Sequence, residues 1–81
     1  MKFKLSVHAK EVMLTRNISR DWVSDALSNP SGKLEISEHE THYFFTIREY
    51  GNRCLKVVIN PIKLLVITAY FDRKAHKRGC K

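Results

Sequence analysis

Residues 42–71 read HYFFTIREYGNRCLKVVINPIKLLVITAYF, and this stretch decides the fold. Its apolar residues recur with period two, the spacing of a strand whose successive side chains face opposite sides of a sheet. His42 to Tyr50 is one strong strand, Arg53 to Asn60 a second and Lys63 to Phe71 a third. Gly51-Asn52 is a hairpin turn signal and Pro61 marks the next turn. One alternating set is Tyr43, Phe45, Ile47, Leu55, Val57, Ile59, Leu65, Ile67, Ala69 and Phe71. It holds no charge and is expected to be the buried face. The complementary set is Phe44, Thr46, Arg48, Cys54, Lys56, Val58, Val66, Thr68 and Tyr70, a mixture of cations, hydroxyls and aromatics. A strict two-residue turn at Gly51-Asn52 would pair Arg48 with Leu55 and mix the two sets. A mixed register would bury a cation, so the hydrophobic pattern is expected to win. That requires a bulge or an odd-length loop at the turn.

Upstream the period changes. Ser6 is a candidate N-cap for a helix whose stripe is Leu5, Ala9, Val12, Met13 and Arg16. Asn17 can end it in a left-handed turn. Ser19 is the next N-cap, with Ile18 and Val23 placed for a hydrophobic staple. Trp22, Val23, Ala26 and Leu27 form the second stripe, and Asn29-Pro30 stops it. Residues 33–38 read as a weak strand, with Leu34 and Ile36 alternating with polar neighbours. The expected fold is α+β: two N-terminal helices packed on one face of a three- to four-stranded antiparallel sheet.

The chain has 81 residues, 43% hydrophobic and 28% charged, with five Gly plus Pro, a composition for one globular domain spanning 1–81. A Rossmann unit or a P-loop NTPase is too large to fit. No apolar run approaches the ~20 residues of a membrane span, and Met1 to His8 lacks the apolar core of a secretory signal. Two cysteines, Cys54 and Cys80, are too few for a disulfide scaffold. They are expected to be free thiols in a reducing cytoplasm, with Cys80 on a frayed tail; a bridge between them is the alternative, though the sequence does not call for it.

The net charge of +7 is unevenly placed: residues 1–16 carry +3, residues 17–71 balance to zero, and the basic C-terminal tail, 72–81, carries +4. If the fold joins the two ends, one face is strongly cationic and suited to phosphate backbones. Arg16, Arg73, Lys74, Lys77 and Arg78 are the expected RNA-binding cations, with Phe44 as a stacking surface. His8, in the first turn of helix one, is the candidate base, because a helix N-terminus favours the neutral imidazole. His39, His42, His76 and Cys80 have the number of ligands for zinc. However, the first two straddle a strand start and the others lie in a cation-repelling tail, so no metal is expected. No cofactor motif, paired carboxylates or Ser/His/Asp set stands out.

Ser6-Val7-His8-Ala9, Arg16-Asn17-Ile18-Ser19 and Ala26-Leu27-Ser28-Asn29-Pro30 resemble the opening of a small bacterial and archaeal family of unknown function. Leu55-Lys56-Val57-Val58 and Val66-Ile67-Thr68-Ala69-Tyr70 resemble its later strands, so the likeness runs almost to Tyr70. That family is similar to the RelE/ParE-like toxins. The resemblance implies a RelE-like fold and metal-independent cleavage of RNA within a toxin–antitoxin pair, with an acidic antitoxin-like protein as partner. In this reading His8 takes a proton from a ribose 2′-hydroxyl, Arg48 and Lys56 stabilise charge on the phosphate, and Thr68 and Tyr70 position it. A non-catalytic module binding nucleic acid or protein is the alternative.

Overall fold

Two serines start the N-terminal helices in the computed structural model, which describes residues 1–81. Ser6 Oγ accepts from the Ala9 amide at 2.9 Å and opens α1 (Val7–Thr15). The same hydroxyl donates to the Ile67 carbonyl at 3.0 Å, tying the cap to the sheet. Asn17 takes the left-handed turn, with φ 56°. Ser19 Oγ accepts from the Trp22 amide at 3.1 Å and opens α2 (Arg20–Ser28). Ile18 and Val23 are both buried where the staple requires them.

The remaining elements are β1 (Lys4–Leu5), β2 (Gly32–Ser37), β3 (Glu40–Ile47), β4 (Arg53–Asn60), β5 (Leu65–Phe71) and α3 (Arg73–Lys77). The sheet runs β1-β5-β4-β3-β2. β2 to β5 form an antiparallel meander, whereas β1 pairs parallel with β5. The sheet is therefore five-stranded and mixed, not three- to four-stranded and antiparallel. A strand of two residues has no period to read, which is why β1 escapes the pattern argument.

Ile47 pairs with Arg53, leaving residues 48–52 as an odd-length loop with a 3-10 turn at Arg48–Tyr50. The loop closes through Gly51 and Asn52, both at positive φ. Phe45 thus faces Leu55, and the hydrophobic sets stay separate across β3 and β4. Two positions depart from the pattern on β5, Leu65 and Val66, which exchange faces. Val58 pairs with Thr68 but Ile59 pairs with Val66, so Ile67 is the extra residue of a bulge. The bulge turns Val66 into the helix-covered core, where it is fully buried, while Leu65 and Ile67 are only half-buried. Ala9, Met13, Val23 and Ala26 from the helices and Ile18 from the turn between them pack there against Ile47, Leu55, Val57, Ile59, Val66 and Ala69.

The other face is not open. The chain after β5 folds back across it, and Ala75 and Cys80 pack on Phe44 and Cys54 in a second small core. Cys54 and Cys80 form a disulfide, so neither is a free thiol and the tail does not fray. Ser31 Oγ lies 3.0 Å from both the Cys80 and the Phe44 carbonyls, which share its one hydroxyl hydrogen. Gly32 is required where the terminus crosses: a Cβ there would stand 2.6 Å from the Lys81 Cα. No helix is long and apolar enough to cross a membrane.

Candidate anion-binding cleft

At the end of β5, Asp72 caps α3 by accepting from the Ala75 amide at 3.0 Å. The cap fixes the direction of α3, and residues three apart on a helix share a face. Arg73 and His76 are such a pair, and both line a cleft of about 600 Å³. Its other walls are Arg16 from the C-terminus of α1, Arg53 and Cys54 from the start of β4, Tyr50 and Gly51 from the preceding loop, and Phe71 and Asp72. The two cationic ends of the chain meet at this point through Arg16 and Arg73.

None of the three arginines takes part in an ion pair. The one carboxylate of the cleft, Asp72, is already committed to the Ala75 amide and to Lys56 Nζ at 2.9 Å. The hydrogen bond from Ala75, with that from Lys56, holds the Asp72 carboxyl below the usual carboxylate range. Burial pulls the Lys56 pKa down, but hydrogen bonds to Asp72 and Tyr70 outweigh it and the ammonium is raised above its ordinary value. The cleft therefore presents guanidinium groups free to bind an anion bidentately.

Its floor is aromatic. Tyr50 and Phe71 rings stand 5.2 Å apart, and Trp22 meets Tyr50 at 5.7 Å. The Arg53 guanidinium lies 4.8 Å from the Tyr50 centroid and 5.8 Å from that of Phe71. Stacking of this kind orders the guanidinium while leaving its N–H edges available.

The expected catalytic set is not brought together. His8 is exposed on α1, in the helix layer. Lys56, Thr68 and Tyr70 belong to the opposite face of the sheet, with Lys56 paired to Tyr70 across β4 and β5. Lys56 Nζ is held by Asp72 and by the Tyr70 hydroxyl at 3.2 Å, not turned toward an empty site. Arg48 is exposed in the β3–β4 loop and lines a different hollow, with Trp22 and Asp25. Phe44 is 1% exposed beneath α3 and offers no surface to a base. Of the expected RNA-binding residues, Arg16 and Arg73 meet in the cleft, while Lys74, Lys77 and Arg78 are exposed on α3 and just after it.

Arg53, His76, Tyr50 and Phe71 are the cleft residues that periodicity missed. The signal lay in the cysteines. Arg53 precedes Cys54, and His76 lies one helical turn before Cys80, so pairing the cysteines would have drawn both side chains together. Cys80 is consumed by that bond, His39 lies 3.4 Å from Glu38, and His42 lies 2.6 Å from Glu40.

Residues 5–71 match the family described as Domain of unknown function (DUF4258). The chain belongs to that family. No curated protein and no solved structure matches it. The DUF4258 span carries Arg16, Tyr50, Arg53 and Phe71, whereas α3, with Arg73 and His76, follows it. Six of the nine residues lining the cleft thus belong to the DUF4258 span and three to the segment after it.

Proposed function

We propose that this DUF4258 protein is a toxin-like, RNA-binding ribonuclease that takes single-stranded RNA in the Arg16–Arg53–Arg73 cleft. The observation that carries the reading is the convergence of three unpaired arginines and a histidine on one aromatic-floored cleft. Guanidinium groups suit phosphate oxygens, and an aromatic surface suits an unstacked base. His76 replaces His8 in the proposed general-base role, because it lines the cleft and His8 does not. The imidazole takes the proton of a ribose 2′-hydroxyl, the 2′-oxygen attacks phosphorus, the P–O5′ bond breaks, and the 5′-oxygen leaves as a hydroxyl with a proton from water, a 2′,3′-cyclic phosphate remaining. The arginines stabilise the charge that develops on the phosphoryl oxygens. No cofactor enters this scheme. An acidic antitoxin-like protein would compete for the same cleft.

Purified protein is expected to cleave an oligouridine in EDTA. His76→Ala should lower the rate by roughly 10²–10⁴, with His8→Ala near the unmutated rate. Three phosphate contacts give a slope of log K against log salt of about −2 on single strands. Binding with that slope but no cleavage at any pH would leave the non-catalytic binding module. Affinity that ignores salt would remove both readings.

A further inference from the structure

Two of the groups that line the cleft, Arg73 and His76, ride on α3, and α3 has little of its own to hold it. It is five residues long, far shorter than the ~12–15 residues at which an isolated helix becomes even marginal in water. Ala75 is its one buried side chain. Its N-terminus is tied by Asp72, through the cap and the Lys56 ion pair. Its C-terminal side is tied by the Ser31 hydrogen bond to the Cys80 carbonyl and by the Cys54–Cys80 bond. The disulfide joins residues 26 apart. It links the sheet wall of the cleft, where Cys54 itself is a lining residue, to the segment that carries the helix wall.

We propose that Cys54–Cys80 is a redox latch on the cleft. Closed, it holds Arg73 and His76 against Arg16 and Arg53, and the site grips a polyanionic strand. Opened by a dithiol reductant, it lets α3 swing away and carries Arg73 and His76 out of the cleft. The latch rests on the RNA-binding reading for its consequence but not for its mechanism.

The chemistry is thiol–disulfide exchange. A thiolate of the reductant attacks the Cys80 sulfur, the S–S bond breaks, and Cys54 leaves as a thiolate. The second thiol of the reductant then displaces Cys80. The reductant ends as a disulfide, having given two electrons, and two protons complete the Cys54 and Cys80 thiols. Access is the slow part. Cys54 and Cys80 are 1% and 3% exposed, so the last residues must lift before attack. Lifting Cys80 breaks the bond of its amide to the Ala75 carbonyl and that of its own carbonyl to the Ser31 hydroxyl.

The test uses the full chain, oxidised and then treated with dithiothreitol. Thiol titration under denaturing conditions should count none before treatment and two after. Amide hydrogen exchange reads the latch without RNA. The amides of His76, Gly79 and Cys80 bond within the tail, to the carbonyls of Asp72, His76 and Ala75. Reduction should strip their protection while β3, β4 and β5 keep theirs. Affinity for a ten-residue oligouridine should fall several-fold as the Arg73 phosphate contact is lost, and the salt slope should drop by about 0.7. Cys80→Ser, which leaves the main core untouched, should match the reduced protein and ignore dithiothreitol.

The latch is overturned if the tail amides stay protected after reduction, or if air-oxidised protein holds two free thiols. It is also overturned if the oxidised protein binds oligouridine and reduction changes nothing. If the tail detaches but oxidised protein never binds the oligonucleotide, the latch stands and the RNA reading fails.

Discussion

On one face of the sheet, eleven buried residues from α1, α2, the turn between them and three strands interlock. On the other, Ala75 and Cys80 rest on Phe44 and Cys54, helped by one disulfide and one ion pair. The first face is closed by apolar area, which is non-directional and does not depend on pH or redox state. The second is closed by a few specific bonds, each of which a change of conditions can remove. The cleft lies where the two meet: Arg16 comes from the helix layer and Arg73 and His76 from the C-terminal layer. The difference teaches where control of this site can reside. Only the second closure can open while the domain stays folded.

The largest expected effect lies on the first face. Leu55 is fully buried at its centre, and Leu55→Ala should cost about 2–5 kcal/mol through lost burial and the cavity left behind. Urea unfolding should show the whole chain losing stability in one transition. If the C-terminal segment came apart separately and the rest kept its midpoint, the eleven-residue cluster would not be the common support of both layers.

Next comes the ion pair. Asp72→Asn keeps a competent N-cap but removes the charge facing Lys56. The expected loss at neutral pH is about 1–3 kcal/mol, the range for leaving a desolvated group without its partner. The pH dependence has a definite sign. The folded Asp72 pKa lies below its ordinary 3.8, so its contribution is complete above that value and disappears as pH falls through the lower folded value. The folded Lys56 pKa lies above 10.5, so its contribution is complete below 10.5 and disappears as pH rises through the higher folded value. Urea midpoints from pH 2 to 7 should converge for the two proteins at the acid end. Curves that stay parallel would mean the Asp72 contribution is not electrostatic.

A smaller effect separates the two closures by shape. A Cβ at Gly32 would stand 2.6 Å from the Lys81 backbone. Gly32→Ala should therefore push the terminus off the sheet at a cost of about 1 kcal/mol. Hydrogen exchange should report faster amides at residues 78–80 and unchanged ones in β4. Uniform loss across the sheet would show that the terminus is part of the main cooperative unit.

The same contrast explains how much could be read from the amino acids alone. Ser6, Asn17, Ser19 and the Ile18–Val23 staple are local signals, and each sits where it was expected. The odd-length loop followed from the need to keep Lys56 and Arg48 out of the helix-covered core. Val66 could not be placed, because a bulge shifts the period by one and leaves no mark in composition. The second face was illegible for a different reason. A five-residue helix has too few turns to show a stripe, and its contacts to Phe44 and Cys54 are all long-range. Of the site, Arg16 and Arg73 were legible as charge at the two ends. Arg53 and His76 depended on the cysteine pairing that a cytoplasmic reading argued against.

The smallest effect on stability, and the sharpest on the comparison, is expected at Arg16. Its side chain is exposed and makes no ion pair, and its backbone amide closes α1 by bonding to the Val12 carbonyl whatever the side chain is. Arg16→Gln keeps helix propensity and should change the urea midpoint by no more than about 0.5 kcal/mol in stability. Its consequence belongs to binding. Loss of one phosphate contact should reduce the salt slope for oligouridine by about 0.7. Arg73→Gln should do the same, but the two residues stand on different layers. Arg16 is held by the apolar core and Arg73 by the disulfide-linked segment, so reduction should distinguish them. In dithiothreitol Arg16→Gln should still weaken binding, because its wall remains in place. Arg73→Gln should then make no further difference, because its wall has already gone. Equal effects of the two substitutions in both redox states would mean that the cleft does not divide along the two closures.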